Sequence, residues 1–78
     1  MNDLTQNIDK LHSTEGGIER IRRNLCLEVP DVVQWCRLKI LAASAVMERR
    51  GKNWYINVED CQITVNAHSY TIITAHRR

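Results

Sequence analysis

Seventy-eight residues, 44% apolar and 26% charged, describe a globular domain rather than a disordered tail. A chain of this length buries only about 60% of its unfolded surface, so a small core and modest stability are expected. No apolar run reaches the roughly 18 to 20 residues of a membrane span. Met1-Asn2-Asp3 opens polar and acidic, unlike a signal peptide, so one cytoplasmic domain over residues 1–78 is expected, away from membranes.

Leu4, Ile8 and Leu11, then Ile18, Ile21 and Leu25, recur every three or four residues, which is the stripe of helices buried on one side. The spacing predicts two short helices. Ser13-Thr14 can cap the second, and Gly16-Gly17 kinks it or delays its start. Pro30 ends whatever precedes it, and Asp31-x-x-Gln34 reads as an N-cap with its partner. Val33, Cys36, Ile40, Ala43 and Met47 then form one apolar stripe, widened by Val32, Trp35, Ala42 and Val46. A long helix over about residues 31–50 is therefore predicted, closed by Glu48-Arg49-Arg50-Gly51, where bases suit the dipole and glycine the left-handed residue beyond it.

From Asn53 the period changes to two. Trp54, Ile56 and Val58 face one way and Asn53, Tyr55 and Asn57 the other; Cys61, Ile63 and Val65 repeat the pattern against Gln62, Thr64 and Asn66. A turn at Glu59-Asp60 would set Val58 against Cys61, Ile56 against Ile63 and Trp54 against Val65, although the absence of glycine leaves a bulge or longer loop equally open. The last strand, over about residues 69–76, has two registers. A two-residue loop at Ala67-His68 turns Tyr70, Ile72 and Thr74 to the core, and a loop longer by one turns Thr71, Ile73 and Ala75 there. Either leaves one isoleucine on the polar side, to be covered by the N-terminal helix or by a partner. The expected architecture is α+β, with N-terminal helices packed on a three-stranded antiparallel meander.

Chemistry is sparse in this pattern. Cys26, Cys36 and Cys61 form neither C-x-x-C nor an even set, and read as buried reduced thiols. His12, His68 and His76 lack ligand spacing, so no metal or other cofactor is expected. Lys52 follows a glycine but sits in no phosphate-binding motif. With His68 at a hairpin tip and His76 eight residues further on, the two imidazoles are over about 20 Å apart and cannot flank one phosphate. A ribonuclease site would need His76 together with Lys52, Tyr55 or Arg50 across the sheet.

The amide- and hydroxyl-rich strand face, Asn53, Tyr55, Asn57, Gln62, Thr64 and Asn66, points to recognition by hydrogen bonds. Tyr70, His76 and the basic Lys52, Arg77 and Arg78 complete the candidate set; Asn53, Tyr55, Lys52, Arg77 and Arg78 would meet at one end of the sheet and could hold RNA or DNA, with Tyr55 stacking a base. With Asn53–Val58 and Tyr70–His76 as edges, strand addition by a protein, including a second copy, is the other mode.

Three segments carry a resemblance to a known family: Ile18-Glu-Arg-Ile-Arg-Arg-Asn-Leu25, Gly51-Lys-Asn-Trp-Tyr-Ile56, and above all Ile63-Thr-Val-Asn-Ala-His-Ser-Tyr-Thr-Ile-Ile-Thr-Ala75. The chain resembles the bacterial domain-of-unknown-function family 3781, which implies no activity and no catalytic residues. A looser likeness is to small ribonuclease toxins of the RelE and barnase–colicin type, through the order of elements and Tyr70-Thr-Ile-Ile-Thr-Ala-His-Arg77. Those toxins have a fourth strand, for which no residues are expected to remain here. The expectation is a non-enzymatic binding module, placed by size and charge beside phage- or mobile-element-encoded inhibitors of host defence proteins. The alternatives are a ribonuclease-like toxin using His76 and basic residues, and a nucleic-acid-binding protein.

Overall fold

The computed structural model describes residues 2–78, so Met1, the first residue of the polar start, lies outside the described residues. Helix α1 (Asp3–Gln6) is capped by Asn2, whose side chain accepts from the Thr5 amide at 2.9 Å, and a single 3-10 turn (Ile8–Lys10) follows. Helix α2 (Glu15–Leu25) starts where Thr14 accepts from the Gly17 amide at 3.0 Å and runs unbroken through both glycines. A Cβ on Gly17 would meet Ser13 Oγ at 2.5 Å, so the glycine permits a close approach and introduces no kink. Helix α3 (Val32–Ile40) is capped by Asp31, which accepts from the Gln34 amide at 2.9 Å.

Four strands follow: β1 (Val46–Arg50), β2 (Asn53–Val58), β3 (Cys61–Asn66) and β4 (Ile72–Arg77), in the antiparallel order β1-β2-β3-β4. This corrects the expected long helix and the three-stranded meander. Helix α3 ends at Ile40, a turn over residues 41–45 follows, and the last five residues of the predicted helix form the fourth strand thought to lack residues. Gly51 does take a left-handed φ of +58°, but as the first residue of a two-residue hairpin turn, where a positive φ follows the twist of the strands it joins.

The β2–β3 register is as the apolar pattern required: Val58 opposes Cys61, Ile56 opposes Ile63 and Trp54 opposes Val65. The connecting turn is the two-residue one despite lacking glycine, and Glu59 takes φ +55° to make it. Strand β4 follows neither predicted register. It begins at Ile72, after a loop over residues 67–71, and a bulge between Thr64 and Val65 inserts Ile73 as an extra residue. Ile72 and Ala75, which belonged to rival registers, are thereby both buried, and Ile73 is left 37% exposed.

The helices cover one face of the sheet only. Leu4, Ile21, Val32, Cys36 and Ile40 meet Trp54, Ile56, Ile63, Val65 and Ile72 in a continuous core. Helix α2 lies along β4, and it and the segment just before it close that edge with side-chain donors: Ser13 Oγ to the Ile72 carbonyl at 2.9 Å, then from the helix Arg20 to Ile73 at 3.3 Å and Asn24 to Ala75 at 3.2 Å. The expected edges were β2 and the last strand. In the structure β2 is internal, the β4 edge is blocked, and charged β1 is the strand at the other border. Leu38 and Leu41 stand exposed on the outer side of α3. No helix of the described residues is long and apolar enough to cross a membrane.

Candidate functional site

Directly opposed residues of antiparallel strands point to the same side. The register therefore assembles three rows on the helix-free face: Arg50, Asn53 and Asn66; Glu48, Tyr55, Thr64 and Thr74; Val46, Asn57, Gln62 and His76. All six residues of the predicted polar face lie on it, joined by His76. The new strand β1 adds Val46, Glu48 and Arg50, which the helix assignment had placed elsewhere.

The face is ordered by its own contacts. The Arg50 guanidinium lies 4.3 Å from the Tyr55 ring centroid, while its Nε donates to Glu48 Oε1 at 3.1 Å. Gln62 Nε2 donates to Asn57 Oδ1 at 3.1 Å. Glu48 and Arg50 offset one another, so the face carries amides, hydroxyls, one stacked aromatic and almost no net charge. Such a surface recognises a partner through shape and directed hydrogen bonds rather than a long-range field.

The basic end proposed for nucleic acid is not assembled. Lys52 sits in the Gly51-Lys52 turn, its carbonyl accepting from the Ala67 amide at 2.8 Å. Arg77 and Arg78 stand at the opposite end: Arg77 pairs with Asp60 and reaches the Leu25 carbonyl, and Arg78 donates to the Glu59 carbonyl. The six residues of β2 separate the two ends by about 17 Å. Tyr70 lies off the sheet in the loop after β3, with Lys10 Nζ 5.8 Å from its ring centroid. His76 neighbours Gln62, two strands and one row from Tyr55, roughly 12 Å between Cα atoms.

A second polar cluster forms at the β3–β4 loop. Asn66 Oδ1 accepts from the His68 and Ser69 amides, both at 2.9 Å, and Tyr70 takes φ +60°. His12 lies alongside in a parallel bridge to Thr71: its amide donates to the Tyr70 carbonyl at 3.2 Å and its carbonyl accepts from the Ile72 amide at 2.7 Å. Its imidazole spans the Lys10 carbonyl, 2.9 Å from Nδ1, and Thr71 Oγ1, 3.1 Å from Nε2. Ser69 Oγ is 2.7 Å from that hydroxyl. His12 and Thr71 are 59 positions apart, and no local spacing announces the contact.

Of the three cysteines expected to be buried, Cys36 and Cys61 are, but Cys26 is exposed at the left-handed C-cap of α2. Burial pushes the Cys36 thiol up to about 12, with neighbouring Cys61 adding to the shift. Desolvation also raises Cys61, helped by Asp60 and Glu59. Among the described residues no three His, Cys, Asp or Glu side chains gather as metal ligands would.

Comparison with curated proteins finds no match, and neither does comparison with solved structures. The family model described as Protein of unknown function (DUF3781) matches residues 5–76, from the second half of α1 through α2, α3 and all four strands to His76, and the chain belongs to that family.

Proposed function

We propose that the protein is a binding module whose helix-free sheet face covers the surface of a protein partner. The observation that carries this reading is the pairing of Arg50 with Tyr55 at 4.3 Å at the head of a field of amides, Asn53, Asn57, Gln62 and Asn66, with little net charge. Tyr and Arg are the residues that most often dominate interface energetics, and here each already restrains the other before a partner arrives. A nucleic-acid surface would instead present several unpaired bases, because phosphate neutralisation supplies most of that affinity. A small domain that presents such a face suits an inhibitor or adaptor that acts by occluding a partner, in keeping with the host-defence-inhibitor expectation.

The test is a pull-down from the native host with wild type, Tyr55→Ala and Arg50→Glu, followed by affinity measurement on the partner recovered. Loss of one stoichiometric protein with both variants, at unchanged thermal stability, supports the reading. Retention of that protein by both, or salt-sensitive binding of oligonucleotides in its place, contradicts it.

A further inference from the structure

We infer that Thr71 and His12 form an acyl-transfer site in which Thr71 Oγ1 is the nucleophile and His12 Nε2 the general base, with small activated esters as the substrate class. The hydrogen-bond arithmetic sets the roles. A carbonyl only accepts, so the 2.9 Å contact with Lys10 O places the proton on His12 Nδ1. In the neutral ring Nε2 then carries the lone pair, and Thr71 Oγ1 donates to it at 3.1 Å. Since the Thr71 proton is committed, the 2.7 Å contact with Ser69 is donated by Ser69 Oγ, whose one proton has Asn66 Oδ1 as its longer alternative acceptor at 3.2 Å. Nucleophile, base and orienting acceptor are thus hydrogen-bonded in series, as an activated hydroxyl requires.

The constellation is surplus to folding. Two backbone hydrogen bonds between His12 and the loop, together with Ser13 Oγ on the Ile72 carbonyl, already fasten the N-terminal segment to the start of β4. Between Ser69 and Thr71 stands Tyr70 at φ +60°, a conformation costly for an aromatic residue, held by the bonds that Asn66 collects. His12 is exposed and Thr71 half-buried, so a substrate can reach both.

Thr71 Oγ1 bonds to the ester carbonyl carbon while His12 Nε2 takes its proton; the carbon–leaving-group bond breaks and that proton passes to the departing alcohol. Water then attacks the threonyl ester, Nε2 takes a water proton and returns it to Oγ1, and the acid is released. The His68 and Ser69 amides are both occupied by Asn66, so they do not serve as oxyanion donors. Such donors are each worth on the order of 100-fold or more, which restricts the site to activated esters and excludes amides.

The test is labelling of the full chain with a fluorophosphonate, read by intact mass and peptide mapping, alongside p-nitrophenyl acetate hydrolysis. The expected result is one adduct on Thr71, absent in Thr71→Val and formed about 100-fold more slowly in His12→Gln, with His68→Gln unchanged. Absence of an adduct on the wild-type chain, an adduct on Ser69 or elsewhere, or an unchanged rate in His12→Gln overturns the proposal. Thermal melts accompany each variant; if His12→Gln does not fold, the wild-type and Thr71→Val results decide.

Discussion

Alkaline pH is predicted to unfold this protein through Cys36. The thiol sits fully buried on α3, pushed from 9.0 to about 12 by desolvation first and by Cys61 second. In the unfolded chain it ionises from pH 9.0 upward, whereas the folded state holds its proton until about 12. Between those values the unfolded state binds fewer protons, so stability that is complete below the lower value is lost at about 1.4 kcal/mol per pH unit, or roughly 4 kcal/mol in all. That is a large share of the roughly 4–12 kcal/mol available to a domain of this size. Urea unfolding of wild type and Cys36→Ala at about pH 8 and about pH 10.5 isolates the effect, because every other titrating group is common to both chains. Cys36→Ala starts less stable by about 1–2 kcal/mol from the lost sulfur but falls with a shallower slope, closing the gap by about 2 kcal/mol over that interval. Parallel slopes would show that the thiol is not desolvated and would refute the placement of α3 on the sheet. A thiol-reactive dye provides a second readout: it should modify exposed Cys26 first, while Cys36 has roughly a thousandfold less thiolate than an ordinary cysteine and waits for unfolding.

Three further perturbations test the sheet. Ile72→Ala should cost about 2–5 kcal/mol and Ile73→Ala less than about 1, because Ile72 is buried and Ile73 is at the surface; the reverse order in urea titrations would mean the register that turns Ile73 to the core. Gly51→Ala should cost about 1 kcal/mol from backbone strain alone, since its Cβ would have nothing within 4 Å; a neutral result in thermal melts would exclude the left-handed turn. Asn66→Ala should cost about 1 kcal/mol and speed amide exchange of His68 and Ser69, whose N–H groups lose their acceptor but remain near water; unchanged exchange would count against the loop geometry.

The parts of the fold legible in the sequence were those fixed by local pattern. Alternation from Asn53 to Asn66 set the β2–β3 register and the composition of the polar face, and Asp31 after Pro30 marked the start of α3. The end of α3 was hidden because Ala43 and Met47 continue the helical stripe by coincidence. Strand β1 lacks compensating alternation: on its inner side Met47 alone opposes the core, beside Arg49, which lies 5.9 Å from the Trp54 ring centroid. A border strand that shows charge to solvent carries little period-two signal. The Gly51-Lys52 pair was the available clue, since glycine serves a hairpin turn as well as a helix end. In β4 the conflict between Ile72 and Ile73 was visible, but its resolution by a bulge depends on α2 holding the β4 edge. The His12–Thr71 contact depends on chain crossing alone, and the spread of Lys52 and Arg77 to opposite ends followed from the number of strands.

The binding account rests most directly on Tyr55. Titration calorimetry of the recovered partner against wild type, Tyr55→Ala and the control Leu41→Ser, on the opposite side of the molecule, decides it. The account predicts a loss of about 2 kcal/mol, roughly 30-fold in Kd, for Tyr55→Ala and wild-type affinity for Leu41→Ser. Wild-type affinity in Tyr55→Ala, with the loss falling on Leu41→Ser, would place the interface on α3 and contradict it.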